Sequence, residues 1–287
     1  MPPEQTKKSM KTQIVRTIYR QRRFWKHLLP LQRSIRVRLP QFDLLVRLDD
    51  WAVGIRIAVN RSYEPHVTAV VQQFVQPGTV FIDIGANIGY YSLLAARLAG
   101  PSGKVIAFEP GAANCALLEQ SLQINDLRNV TLKPWAVADI DGSVSYGADD
   151  SNGRIELDRR VELPGVPAVT LDTALADEPR IDFIKMDIEG AEGRALRGMQ
   201  QILQRHRPIV CSEFTPAAMP STSGMAPELY LDVWRAFGYE LALIPRRGAW
   251  QPQPLSNSEI MQHFAGAPGL DHVDLLALPP PATGTKS

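Results

Sequence analysis

From about residue 79 onward, apolar residues alternate between two spacings. Short continuous runs at 79–84, 105–108, 130–137, 181–186, 208–214, 239–244 and 272–278 read as seven strands. Between them, apolar positions recur every three or four residues over 91–98, 114–125, 191–205 and 228–237, the stripe of a helix with one buried face. Parallel neighbours need crossover connections, so strands separated by helices predict an α/β fold with a mainly parallel sheet and helices on both faces. Residues 141–170 interrupt the alternation. There Gly, Asp and Pro separate short alternating apolar stretches, which predicts a β-rich insertion.

Upstream, 43–59 reads as extended around a turn at Asp49–Asp50, because β-branched residues flank the turn on both sides. Residues 64–76 have helical spacing and stop at Pro77–Gly78. The first forty residues differ in character. Ile14, Val15, Ile18, Trp25, Leu28 and Leu29 recur at roughly helical spacing, and the span from Lys7 to Arg38 holds eleven Lys and Arg and no acid. This predicts a basic N-terminal arm over 1–41. It suits a helix packed on the rest of the protein, a partly disordered arm, or a basic amphipathic helix on an anionic membrane surface. One domain over 42–280 and a disordered tail at 281–287 complete the organisation.

Composition changes this picture little. The formal net charge is +1, so a net acidic remainder offsets the arm and the whole-molecule field selects no partner. Cys115 and Cys211 form no CxxC pair and no disulfide framework, which fits a reducing compartment. Charges interrupt every apolar stretch before Leu28, and no run approaches the roughly 18 apolar residues of a spanning helix. The expected location is cytoplasmic, with peripheral membrane contact through the arm as the route to lipid.

The candidate chemistry lies where strands end. In Phe81-Ile82-Asp83-Ile84-Gly85-Ala86-Asn87-Ile88-Gly89-Tyr90-Tyr91, a buried run ends in an acid and a glycine-containing turn opens a helix. Ligands of doubly wound sheets sit outside the carboxyl ends of strands, where this turn falls. Gly85 and Gly89 would let a ligand and the next helix approach the backbone, and Asp83 could accept from a ligand ammonium group. A dinucleotide fingerprint needs glycine at positions one, three and six, which here are Gly85, Asn87 and Tyr90; two of the three fail. No Gly-Lys-Ser/Thr follows either, so a nucleoside without phosphates fits better. Glu109 ends the second strand, where a carboxylate can accept from both ribose hydroxyls. In Ile184-Lys185-Met186-Asp187-Ile188-Glu189-Gly190-Ala191-Glu192, a lysine inside an apolar strand costs several kcal/mol unless paired, with Asp187, Asp83 and Glu213 as candidate partners. Asp187 and Glu189 lie just past that strand, at the place for the reactive part of a ligand. Glu192 falls in the first turn of the next helix and suits its dipole.

These residues resemble the FkbM-type family of S-adenosylmethionine-dependent methyltransferases. The resemblance runs through Tyr63-Glu64-Pro65, FIDIGANIGYYS (81–92), FEP (108–110), Asn125, WAVAD (135–139), TLDTAL (170–175), IKMDIEGAE (184–192) and Ser212-Glu213-Phe214. It covers roughly 42–280 and departs only at Gly111, where the family more often places a polar residue. It implies a class I methyltransferase, Rossmann-like fold, with a seven-stranded sheet whose last strand runs antiparallel. S-adenosyl-L-methionine is the implied cofactor. Asp83, Gly85, Asn87 and Gly89 would line its methionine and ribose portion, and Glu109 would hold the ribose hydroxyls. Trp135 and Ala136 would lie near the adenine, and Tyr63 and Glu64 could close over the cofactor; a helix-start role suits Glu64 equally.

A sulfonium methyl is already activated, so the enzyme must align an acceptor oxygen and exclude water. A hydroxyl is a poor nucleophile near neutral pH, so a general base helps, with Glu189 the first candidate and Asp187 the second. The same carboxylates could instead hold a divalent metal, which nothing in the sequence specifically indicates. His66, His206 and His272 are weaker candidate bases. The Asn/Asp-Pro-Pro-aromatic motif of many amino-group methyltransferases is absent after the fourth strand. The resemblance therefore points to O-methylation of a sugar, glycolipid or related natural product. An RNA methyltransferase using the arm for phosphate contacts, and a non-catalytic S-adenosylmethionine-binding protein, are the alternatives.

Overall fold

The computed structural model describes residues 34–149, 152–155, 165–246, 250–265 and 271–280. The expectations for the arm over 1–33 and for the tail at 281–287 lie outside the described residues. In chain order, a hairpin of β1 (Ser34–Arg38) and β2 (Asp43–Arg47) precedes α1 (Gly54–Asn60) and α2 (Pro65–Phe74). Then come β3 (Val80–Ile84), α3 (Tyr90–Ala99), β4 (Lys104–Phe108), α4 (Ala112–Ile124) and β5 (Val130–Lys133). After β6 (Ala136–Val137), the insertion holds β7 (Gly142–Asp149), β8 (Asn152–Ile155) and β9 (Gly165–Val169). The second half follows with α5 (Leu171–Ala174), β10 (Phe183–Met186), α6 (Glu192–Arg197), α7 (Gln200–His206) and β11 (Ile209–Phe214). The last elements are α8 (Met219–Thr222), α9 (Pro227–Ala236), β12 (Glu240–Ile244), α10 (Asn257–Ala265) and β13 (Val273–Leu278).

The central sheet has the order β12-β13-β11-β10-β3-β4-β5. β13 runs antiparallel to both β11 and β12, while β11, β10, β3, β4 and β5 pair in parallel. This is the seven-stranded sheet with an antiparallel last strand that the resemblance implied. Side chains alternate across it: Phe81, Val105 and Phe183 enter the core beneath α2, α3 and α4, and Ile82, Ile106 and Ile184 enter the one beneath α6, α7 and α9. Phe81 and Phe183 stack with ring centroids 5.2 Å apart across neighbouring strands. Asp83 and Lys185 continue that same face, directly opposite each other in the register.

Four sequence readings change. The segment 43–59 is not extended throughout, because α1 occupies its second half. The buried Asp50 carboxylate accepts from the amides of Ala52, Val53 and Gly54 at 3.1, 3.2 and 2.9 Å, satisfying the helix start that β-branched composition concealed. The third strand leaves the sheet after Lys133, because Pro134 has no amide to continue the ladder, and Ala136–Val137 pairs with β9 instead. The helix expected over 191–205 is two helices. Gly198 lies so close to the Ala138 carbonyl that a Cβ would come within 2.1 Å of its oxygen. The Asp172 carboxylate then starts α7 by accepting from Gln201 and Ile202 amides at 3.1 and 2.9 Å. Finally, β1 carries the folded body back to Ser34, with Val37 and Leu39 in the core, so the packed region begins ahead of residue 42.

The predicted 141–170 insertion supplies β7, β8 and β9, which join β6 in a four-stranded sheet of order β6-β9-β7-β8. Asp139 ties it to the body by accepting from Arg194 at 2.7 Å and Arg197 at 2.8 Å.

Asp50→Ala removes three donors' partner at the start of α1. It is expected to lower unfolding free energy by about 1–2 kcal/mol in urea titration, and an unchanged midpoint would contradict this role.

Candidate active site

The turn after β3 is shaped by its neighbours before any ligand. Gly85 has φ +80°, and a Cβ there would come within 2.0 Å of the Asp187 carbonyl oxygen; the amides of Gly85 and Ala86 both donate to Phe108 O at 3.0 Å. Gly89, at φ +94°, faces Leu118 of α4, where a Cβ would approach within 2.2 Å. The close approach that the sequence suggested for a ligand is thus made by backbone and packing. Gly85 borders the resulting cavity all the same. That cavity, about 240 Å³, opens at the carboxyl ends of β3, β4 and β10.

Glu109 forms one end of it. The carboxylate is 4% exposed; Oε2 accepts from Asn87 N at 2.8 Å and Oε1 from Gly111 N at 2.8 Å and Asn114 Nδ2 at 3.2 Å. Burial pushes its pKa up, against the opposing amides of Gly111 and Asn87. Trp135 and Ala136 also line the cavity. Tyr146, from β7, adds a wall that sequence reasoning missed and bonds its hydroxyl to Glu109. Only the tertiary fold of the insertion reveals it.

The other end is built on charge. Lys185, 4% exposed, donates to Asp187 Oδ2 at 2.8 Å, and its ammonium lies 4.7 Å from the Tyr91 ring centroid. Burial opposes its charge, but Asp187, Glu64 and Asp83 together outweigh this and hold its pKa above the ordinary value. Of the three partners considered from sequence, Asp187 makes the hydrogen bond. Glu64 takes the N-cap position of α2 without capping it; instead its carboxylate accepts from the Tyr91 hydroxyl at 2.9 Å. Burial and nearby Asp187 push Glu64 up to about 7, against Lys185 and the Tyr91 bond. Glu189 borders the same end. Glu64, Asn87 and Glu189 all have left-handed φ, at 37°, 52° and 56°. Such backbone costs about 1 kcal/mol or more per residue and persists where surrounding contacts hold it.

Asp83 and Gly89 do not form the cavity wall, contrary to expectation. Asp83 is 1% exposed and accepts from Ser92 Oγ at 2.5 Å, and its register places it beside Lys185, one layer behind the surface. Glu192 is also more than a dipole partner. It is fully buried and accepts from Ile188 N at 2.9 Å, closing the turn that carries Glu189. Among the histidines, His272 borders the cavity, His66 Nε2 lies 2.8 Å from Asp274 Oδ2, and His206 pairs with Arg205 at the end of α7, away from the site. Among the described residues, no group of three or more His, Cys, Asp and Glu is arranged to hold a metal ion.

The strand order, with a cavity at the carboxyl ends of β3, β4 and β10 that has a buried carboxylate at one end and anionic groups at the other, is that of a class I methyltransferase fold. The sequence profile of the Methyltransferase FkbM domain matches residues 83–241, more than half of the 287, and the chain belongs to that family. Methyltransferase 1 of Beauveria bassiana (strain ARSEF 2860) is 24% identical over 143 residues, 41% of this chain and 57% of that protein. The chain therefore spans little more than half of that relative. Methyltransferase sdnD of Sordaria araneosa is 26% identical over 219 residues, 63% of this chain and 80% of that protein. The solved methyltransferase FkbM from Methylobacillus flagellatus KT is 16% identical, with a TM-score of 0.45, covering 78% of this chain and 52% of that one.

S-adenosyl-L-methionine is accordingly the cofactor, and it supplies an activated methyl group when bound. The cavity's donor set fits it. Glu109 suits the two ribose hydroxyls, Trp135 an adenine face, and the Glu64–Asp187–Glu189 end the sulfonium and ammonium charges.

Glu109→Gln keeps the shape but loses the charge that strengthens hydrogen bonds to a diol. Titration calorimetry is expected to give a Kd for S-adenosylmethionine raised roughly ten- to a hundred-fold; an unchanged Kd in a folded variant would remove Glu109 from the site.

Proposed function

We propose that this methyltransferase acts on a hydroxyl oxygen of a sugar, glycolipid or related natural product. The observation that carries the reading is the concentration of carboxylates at the reactive end of the cavity. Glu64, Asp187, Glu189 and Glu213 border it, against Arg56 and the Lys185 already engaged with Asp187. Carboxylates accept hydrogen bonds from polyol hydroxyls, fix one of them in line with the methyl, and can take its proton. Of the two bases suggested by sequence, Asp187 accepts from Lys185 at Oδ2, and Glu189 stands on the left-handed turn after β10. The absence of an Asn/Asp-Pro-Pro-aromatic segment after β10, where Asp187-Ile188-Glu189-Gly190 stands, also favours oxygen over an amino group.

An RNA acceptor suits this mouth poorly, because phosphates would meet four carboxylates at close range. A non-catalytic role is disfavoured by the strain and buried charge maintained around the cavity. No helix of the described residues is long and apolar enough to cross a membrane. Contact with a membrane through the basic arm remains part of the proposal only for a lipid-linked acceptor.

The test is transfer of an isotopic methyl from S-adenosylmethionine to a panel of glycosides, glycolipids and transcribed RNA. The reading expects label as a methyl ether in the first two classes and none in RNA; label confined to RNA would overturn it.

A further inference from the structure

Glu109 suits a ribose diol, yet its hydrogen-bonding capacity is already taken. An ionised carboxylate offers about four lone-pair sites. Four donors meet them: the amides of Asn87 and Gly111 at 2.8 Å each, Asn114 Nδ2 at 3.2 Å, and the Tyr146 hydroxyl. A diol can therefore bind only where one of these donors withdraws. The first three belong to the body of the fold. Asn87 follows Gly85 and Ala86, whose amides bond to Phe108 O, and Gly111 and Asn114 belong to the start of α4. Tyr146 is held differently. Over residues 142–145 β7 pairs with β9, and over 146–149 it pairs with β8 alone. The tyrosine thus stands at the root of a two-stranded ribbon, the form of sheet with least support of its own. Two glycines make room for it. Gly153 pairs with Ala148, two residues along the same face from Tyr146, and a Cβ on Gly153 would fall within 1.7 Å of the phenol oxygen. A Cβ on Gly111 would come within 3.3 Å of that oxygen and 2.7 Å of Glu109 Oε1. Tyr146, Gly153 and Glu109 all border the cavity.

We propose that the Tyr146 hydroxyl is a resident stand-in for a ribose hydroxyl: it occupies Glu109 in the free enzyme and is exchanged for the cofactor's own hydroxyl on binding. Tyr146 is thereby a specificity-determining residue contributed by the insertion. A nucleoside that brings a hydroxyl replaces one charge-assisted hydrogen bond with another, so the buried carboxylate is satisfied before and after. A nucleoside without one leaves the phenol where it is. The exchange lowers the affinity that Glu109 alone would confer, by the one bond given up. It also parts the β7–β8 ribbon from Glu109, which couples the insertion to occupation of the ribose site. Without the phenol, the carboxylate of the free enzyme would stand short of a donor, a cost that a diol relieves on arrival. The exchange concerns the cofactor alone and holds whichever acceptor the enzyme serves.

The test needs no methyl acceptor. Titration calorimetry compares wild type and Tyr146→Phe with two ligands, S-adenosylhomocysteine and its 2′,3′-dideoxy form. Phenylalanine keeps the ring over Gly153 and removes only the donor. The Kd for S-adenosylhomocysteine is expected to fall roughly ten-fold in the variant, the worth of about one hydrogen bond to a charged group. The dideoxy ligand gains nothing, because it brings no donor to the vacated site. The penalty for lacking ribose hydroxyls is therefore about ten-fold larger in the variant than in the wild type. A phenol that holds the ligand directly gives the opposite sign, weaker S-adenosylhomocysteine binding by the variant, and that result overturns the exchange. An unchanged Kd overturns it as well. So does a gain shared equally by both ligands, which a general loosening of the ribbon would produce.

Discussion

The ammonium of Lys185, buried in the middle of a parallel sheet, is the constraint on which the site depends. A desolvated cation is tolerable only with close counter-charge and good geometry. Asp187 supplies the hydrogen bond, and Asp83 stands opposite in the register. Tyr91 offers its ring face and passes its hydroxyl to Glu64. These four residues come from α2's entry, β3, α3 and the end of β10, so balancing one charge fixes the relative placement of four elements. The cavity is the gap they leave. Removing Asp187 or Glu64 would therefore disturb more than a contact with ligand.

The two ends of the cavity follow different physics. At Glu109 the fold aims the amides of Asn87 and Gly111 at a carboxylate and so fixes its position. At the opposite end, carboxylates crowd one another, and Glu64 and Glu213 are driven toward their neutral forms. A positively charged ligand relieves that crowding. A sulfonium would meet more favourable charge at this end than a thioether would.

Much of this was legible in the sequence. Short continuous apolar runs at 79–84 and 181–186 placed the central strands, and acids at strand ends marked Glu109 and Asp187. What escaped depends on distant partners. The Asp50 carboxylate that gathers the amides leading into α1 is invisible beneath a β-branched composition. Tyr146 reaches the cavity only through the fold of the insertion. Asp83 matched a ligand-binding position, yet register with Lys185 draws it behind the wall. Glu213 was noted as a possible lysine partner; its pairing with His272, nearly sixty residues later in the chain, needs the antiparallel β11–β13 ladder.

The most direct measurement is a crystal structure with S-adenosylhomocysteine bound. The account predicts ribose hydroxyls on Glu109, adenine against Trp135, and the sulfur directed at the Glu64–Asp187–Glu213 end. Density for the ligand with its sulfur turned away from those carboxylates, or at another site, would contradict it.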